Sequence, residues 1–316
     1  MSDATHGRRK VIVIAGATAS GKSEVAMEIA QKLPVEIICA DSRTVYRGLD
    51  IGTAKPSEQD RQLVRHHVID VCEPTDVYTA HRFAQDAVYS IDNMSEDVTP
   101  LIVGGSGFYI SALIDGLSVS EIEVDQATRL QLTHEFTTRG KREMYQELQS
   151  VDSIAAQLYS DMNPRRVQRA LEYYRTTGRP ISSNWNDHPR PALYEATFVF
   201  IQREADELRN RIAARCELMW ERGLLEETMS VLQSGVPQQA QSLQTVGYTQ
   251  ALDVLNGRST VEQAHTDMIT ATRKYAKRQR TWFKRDNRYS HVSGTVETCV
   301  TDILRMHHER GLCDLD

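Results

Sequence analysis

Residues 16–23, GATASGKS, put Gly16, Gly21, Lys22 and Ser23 at the fixed positions of a phosphate-binding glycine loop. Each residue type has a physical use there. Gly16 and Gly21 let the backbone turn and come close to an anion. The loop N–H groups through Ala17, Thr18, Ala19 and Ser20 then face the negative charge, together with the N-terminus of the following helix. Lys22 adds a point charge, and the Ser23 hydroxyl can ligate Mg²⁺. The motif specifies a phosphate cradle and leaves the substrate open.

Further groups have spacing suited to chemistry. Asp41 ends the apolar run IICADS. It can hold Mg²⁺ through water, act as a general base beside the phosphate, or simply cap a turn. Asp70, after HHVID, reads as structural. VGGSGFY (103–109) follows an apolar run, so Gly104 and Gly105 permit close backbone approach and Ser106 presents a hydroxyl. Arg211 and Arg215 are four apart, on one helix face, which suits a diphosphate. Residues 273–288, RKYAKRQRTWFKRDNR, hold eight Lys/Arg and one Asp, a local charge of +7. Within them Arg273, Lys277, Arg280 and Lys284 form one helical stripe, with Tyr275, Ala276, Trp282 and Phe283 left to dock the helix on a core. Such a stripe fits a nucleic-acid backbone or a solvated face. NPRRVQRALEYYRTTGR (163–179) adds Arg165, Arg166, Arg169, Arg175 and Arg179.

These groups need elements to position them. VIVIAG (11–16) reads as a buried parallel strand and EVAMEIAQKL (24–33) as a helix, so the glycine loop joins strand to helix. VEIICADS (35–42) reads as a second strand and DVYTAHRFAQDAVYSID (76–92) as a helix. PLIVGGSGFYISALIDGL (100–117) reads as strand, glycine turn and helix. This alternation predicts an α/β fold, a parallel sheet flanked by helices, with ligands beyond the carboxyl ends of the strands. Gly16–Ser23, Asp41 and Gly104–Ser106 all follow strands and are expected to converge. From about 120 to 195 only helical patterns occur, which predicts an all-helical insertion between core segments 8–119 and 196–316. ATFVFIQ (196–202) restores the strand pattern, and helices follow over ADELRNRIAARCELMWERG and 261–286.

Composition sets the class. The 316 residues are 40% hydrophobic and 25% charged, an ordinary globular balance. No run approaches ~20 apolar residues, so no membrane span is expected. The polar start MSDATHGRRK is unlike a signal peptide. Cys39, Cys72, Cys216, Cys299 and Cys313 are scattered without a C-x-x-C pair, which points to a reducing, cytoplasmic compartment and away from structural zinc. The net charge is −6, so the chain outside 273–288 carries −13, since −6 − 7 = −13. One basic segment on an acidic protein suggests a localised polyanion site.

Taken in order, GATASGKS, ADSRTVYRGLDIGTAKP, LIVGGSGFY, NPRRVQRALE, RIAARCELMWERGLLEE, TVGYTQAL and ATRKYAKRQRTWF resemble the bacterial-type tRNA dimethylallyltransferases, or tRNA isopentenyltransferases, across residues 10–285. The resemblance implies a P-loop NTPase-like core. It implies transfer of a dimethylallyl group from dimethylallyl diphosphate to the exocyclic amine of the adenosine just 3′ of the tRNA anticodon, without ATP consumption. Asp41 would be the general base, and Ser106 and Arg215 would act around the diphosphate. The tRNA surface would include Asp41, Ser42, Arg43, Thr44, Ser106, Arg129, Arg165, Arg166, Arg169, Gly247, Tyr248 and the stripe on 273–284. Mg²⁺ on Ser23 and a monomeric state are expected. Ala17 stands where the family usually has Pro, and Ser23 and Ser106 where it often has Thr. Arg43-Thr44 replaces smaller or Gln-type residues facing the target base. The zinc finger of eukaryotic relatives is absent from the pattern. The competing classes are a small-molecule P-loop kinase, an adenylate isopentenyltransferase and a non-catalytic RNA-binding module. The basic helix and the insertion weigh against the first two, and the intact Lys22, Ser23 and Asp41 against the third.

Overall fold

The computed structural model describes residues 8–116, 126–185 and 193–312. In chain order it contains β1 (Arg9–Gly16), α1 (Lys22–Ala30), β2 (Val35–Cys39), α2 (Glu58–Leu63), β3 (His66–His67), α3 (Ala80–Asp92), β4 (Thr99–Gly104) and α4 (Gly107–Ser111). Then come α5 (Gln126–Val151), α6 (Ser153–Leu158), α7 (Pro164–Thr177), β5 (Tyr194–Ile201), α8 (Ala205–Glu221), α9 (Leu224–Gln233), α10 (Tyr248–Leu255), α11 (Val261–Phe283), β6 (Ser290–Val292) and α12 (Val296–Leu312). Two compact units result: Met1–Asp115 with Ala192–Asp316, and Gly116–Pro191.

In the first unit all six strands form one sheet in the order β3-β2-β4-β1-β5-β6, every pair parallel. Val11 to Ala15 of β1 expose no surface, which is why this strand reads as a continuous apolar run. On one face Ile12, Ile14, Val199 and Ile201 pack with Val25, Ala26 and Ile29 of α1 and with Cys299, Val300 and Ile303 of α12. Alternate residues of β5 point the other way. There Phe200 meets Phe283 of α11, ring centroids 5.5 Å apart, and Tyr289 sits 5.1 Å from both Phe283 and Phe198. The second unit has its own core, including Leu132, Met144, Leu148, Val167 and Leu171. Its α5 breaks at Gly140, where φ is 81°.

Several boundaries differ from the sequence expectation for local reasons. The strand expected over 35–42 stops at Cys39, because Asp41 Oδ1 accepts the Arg43 N–H at 2.8 Å and turns the chain. The helix expected from 76 starts at Ala80, where Thr79 caps it by accepting the Arg82 N–H at 3.2 Å. β5 begins at Tyr194, two residues early. β6 and α12 lie beyond the last element expected from the sequence. Cys313 lies outside the described residues. Among the described residues no helix is long and apolar enough to cross a membrane.

The DIGTAKP segment (50–56) is held by one carboxylate. Glu227 Oε2 accepts the N–H groups of Asp50 and Ile51, each at 2.8 Å, and Oε1 accepts the Gly52 N–H at 3.1 Å and the Tyr248 hydroxyl at 2.5 Å. A side chain at Gly52 would place its Cβ 2.6 Å from the Tyr248 ring. Glu227→Ala would strand these donors. Hydrogen bonds to a charged group contribute about 1.5–3 kcal/mol each, discounted here by partial exposure, so the variant should lose about 2–3 kcal/mol of stability. Urea unfolding measures this, and an unchanged midpoint would show that water replaces the carboxylate without loss.

Candidate active site

β2, β4 and β1 are adjacent, so the segments leaving their carboxyl ends meet. After β1 comes the glycine loop. A Cβ on Gly16 would lie 2.5 Å from Ser20 Oγ and 3.3 Å from the Ile201 carbonyl, so a side chain there would have to push the Ser20 hydroxyl aside. The outer carbonyls of the loop are gripped by two arginines. Arg203 Nε donates to Ser20 O at 3.0 Å and Arg211 Nε to Ala19 O at 2.9 Å, with Arg211 also on Glu24 at 2.8 Å. Arg211 therefore braces the loop, whereas Arg215, one turn on, lines the cavity. Lys22 Nζ donates to the carbonyls of Gly16 at 3.0 Å and Ala17 at 2.7 Å, which leaves one of its three hydrogens for a ligand.

After β4, a Cβ on Gly104 would fall 1.9 Å from the Ala40 carbonyl. The close approach lets Ser106 N–H donate to Ala40 O at 3.2 Å and Ser42 N–H donate to Ser106 Oγ at 3.1 Å. Tyr275 of α11 lies beside Ser106, and burial pushes its phenol up to about 12. Asp41 sits between these groups and the glycine loop. One of its oxygens accepts the Arg43 N–H, so it closes a turn while its carboxylate lines the cavity.

The cavity holds about 300 Å³ and is lined among others by Lys22, Ser23, Asp41, Arg215, Tyr275 and Gln279. Two cations share it with one carboxylate. Burial first, then the neighbouring Arg215, pull the Lys22 ammonium down to about 7, with Asp41 acting against them. Burial likewise lowers Arg215, which Asp41 partly restores. Such a site gains stability from a bound anion. Ser23 and Asp41 offer oxygen donors of the kind Mg²⁺ takes. Among the described residues no group of three or more His, Cys, Asp or Glu could hold a metal unaided. The donor set therefore fits an ion completed by a ligand's phosphate oxygens and water.

Other expected contacts are placed differently. Thr18 lines the cavity, but its N–H is bound by Gln279 Oε1 at 2.8 Å and is not free for a diphosphate. Gly247 and Tyr248, expected on the RNA surface, are both buried, and Tyr248 donates to Glu227. In this structure they support the 50–56 loop through Glu227. Thr44 is buried but reaches the cavity, and the Arg43 guanidinium donates to the Gln241 carbonyl at 2.8 Å. In the helical unit, Arg129 and Arg169 lie 3.3 and 3.6 Å from Glu172, and Arg166 lies 3.9 Å from Asp161, while Arg165 is exposed. Arg175 is committed to Glu135 and Glu147 at 2.7 and 2.6 Å and holds the Glu135 carboxyl down to about 2. Arg273, Lys277, Arg280 and Lys284 are exposed on α11 and form no ion pair among the described residues. Asp70 is structural, paired with Lys55 and with Arg61.

Sequence reasoning missed Lys55 and Gln279, and assigned Tyr275 only to packing. Lys55 exposes 2% of its side chain, donates to the Tyr46 carbonyl at 2.6 Å and pairs with Asp50 and Asp70. The signal for Gln279 and Tyr275 was their four-residue spacing on the face opposite the basic stripe.

The family model described as IPP transferase matches residues 44–286. The chain is 39% identical over 279 residues to tRNA dimethylallyltransferase 2 of Geotalea uraniireducens, covering 88% of this chain and 90% of that one. The solved full-length tRNA isopentenylpyrophosphate transferase from Bacillus halodurans aligns with a TM-score of 0.72 at 29% identity, over 98% of this chain and 100% of its own. A eukaryotic dimethylallyltransferase solved in the course of acting on tRNA aligns with a TM-score of 0.75 at 27% identity, over 90% and 74% of the two chains. With the family model spanning most of the chain and relatives of this similarity, this chain belongs to the IPP transferase family.

Proposed function

We propose that this protein transfers a dimethylallyl group from dimethylallyl diphosphate to the exocyclic N6 amine of the adenosine immediately 3′ of the anticodon in tRNA. The observation that carries the reading is the cavity in which Asp41 faces Lys22 and Arg215. An aromatic amine is a weak nucleophile because its lone pair is delocalised into the ring. As the N6 lone pair bonds to the allylic carbon, the carbon–oxygen bond breaks and its electron pair leaves with the diphosphate. The N6 proton passes to the Asp41 carboxylate. Lys22, Arg215 and the free loop N–H groups stabilise the charge that develops on the leaving group. Mg²⁺, which Ser23 would help to hold, supplies further positive charge there.

The exposed stripe on α11 supports contact with the tRNA backbone, and the relatives' names support tRNA as the acceptor. We assign action as a monomer in the cytoplasm, where tRNA meets a reducing medium. Cys39, Cys72, Cys216 and Cys299 are all buried and free, in keeping with that. The direct test is incubation with radiolabelled dimethylallyl diphosphate and either tRNA or AMP. Label in tRNA is expected. Label in AMP alone, or tRNA-stimulated ATP hydrolysis, would sink the proposal.

Asp41→Asn keeps shape and one acceptor but removes the charge. It should lower kcat by about 10²–10⁴-fold with both substrates still bound. Near-normal turnover would leave Asp41 only its turn with Arg43.

Lys22 gives a pH signature. Burial and the neighbouring Arg215 pull its ammonium down to about 7, and a bound anion favours the charged form. Diphosphate binding at pH 8 should therefore take up a proton and weaken as pH rises above 7. Calorimetry of pyrophosphate binding in buffers of different ionisation heat reads the uptake, and Lys22→Met should abolish that part of it. Equal uptake by both proteins would place the titration elsewhere.

Lys277→Ala combined with Arg280→Ala should weaken tRNA binding and flatten its salt dependence. Two lost phosphate contacts correspond to a change of about 1.5 in the log–log slope. Pyrophosphate binding should not change. An unaltered slope would make the stripe a solvated face.

A further inference from the structure

Gln279 is 6% exposed and spends both ends of its amide on the two loops that frame the cavity. Its Oε1 accepts the Thr18 N–H at 2.8 Å, within the glycine loop after β1. Its Nε2 donates to the Gly105 carbonyl at 2.9 Å, in the turn after β4. The fit is tight, since a Cβ on Gly105 would lie 2.1 Å from that nitrogen. Two neighbours on the same side of α11 reach the same turn. Tyr275 lies beside Ser106, and the Trp282 indole leaves no room for a Cβ on Gly107.

Either bond alone would be ordinary satisfaction of a buried amide. The pair is different because it spans the reacting centre. The glycine loop faces the leaving group and the Gly105–Ser106 turn lies beside Asp41, so their separation sets the distance between donor carbon and acceptor amine. Strands β1 and β4 fix where each segment leaves the sheet, but not how far each loop leans beyond it. Gln279 supplies that missing constraint. It also removes the Thr18 N–H from the diphosphate donors and spends it on alignment.

We propose that Gln279 is a positioning residue that fixes the diphosphate loop against the Gly105–Ser106 turn, so that the allylic carbon and the attacking amine are held in reacting register. The proposal rests on the prenyl-transfer reading above. Misplacement by about 1 Å in such an arrangement costs on the order of 10²-fold in rate. Gln279→Met, which keeps length and loses both bonds, should lower kcat by about 10–10²-fold, with KM for dimethylallyl diphosphate and for tRNA within about threefold of wild type. Gln279→Glu keeps an acceptor for Thr18 but turns an oxygen toward the Gly105 carbonyl, and should fall between Met and wild type in kcat.

Hydrogen exchange at the Thr18 amide reads the bond without activity. It should be slow in wild type, faster in Gln279→Met and close to wild type in Gln279→Glu. Thermal unfolding corrects kcat for the folded fraction. If the Met variant fails to fold, Gln279→Asn, whose amide is one methylene too short to span both loops and adds no charge to the cavity, decides by the same split of kcat from KM. Corrected kcat within twofold of wild type, or a rise in KM that accounts for the whole loss, overturns the proposal. Failure of wild type to label tRNA would overturn the prenyl-transfer reading instead, while the exchange result would still report whether Gln279 holds the loop.

Discussion

The site depends on one steric constraint, the absence of a side chain at Gly104. With a Cβ there, the ends of β2 and β4 could not close, because the Ala40 carbonyl already occupies that space. Their closure puts the chain after β2 and the turn after β4 in hydrogen-bonding contact, Ser106 with Ala40 and with Ser42. Asp41 lies between the two partners of Ser106, so its position follows from that contact. The parallel sheet supplies the direction and the missing methyl supplies the proximity.

The second determinant is electrostatic. Lys22 and Arg215 come from α1 and α8, and burial disfavours the charge on both. Asp41 offsets only part of that. Arg203 and Arg211 add no charge inside the cavity, since they are spent on the outer carbonyls of the glycine loop and on neighbouring acidic groups. The division of labour is physical: guanidinium groups outside the loop hold its shape, and the cations inside are left to a ligand.

The sequence made the fold class and the local motifs legible where a residue's role is decided within a few neighbours. The buried run of β1, the strand–loop–helix around Gly16–Ser23 and the four-residue spacing of the α11 stripe are all of this kind. What was not legible depends on distant partners. The N–H groups of 50–52 meet Glu227, far along the chain, and Gln279 meets Thr18 and Gly105 from 261 and 174 residues away. Gly247 and Tyr248 were placed on the RNA surface because they sit in a recognisable motif. In the structure both are buried and Tyr248 supports the 50–56 loop, a role that a single sequence does not reveal. The end of the strand at Cys39 was misjudged for the opposite reason, since Asp41 competes locally for the Arg43 N–H.

Gly52 and Tyr248 carry a consequence of another sort. The tyrosine ring fills the volume that any side chain at position 52 would need, and its hydroxyl shares the carboxylate that holds the Gly52 N–H. Neither position can drift alone. A larger residue at 52 meets the ring, and a smaller one at 248 opens a void and frees an acceptor on Glu227. The two positions are therefore sterically coupled, and the Leu224 methyl, 2.8 Å from a Cβ at position 52, closes the same space from a third side. Nearly two hundred residues apart in the chain, they share one volume and one carboxylate.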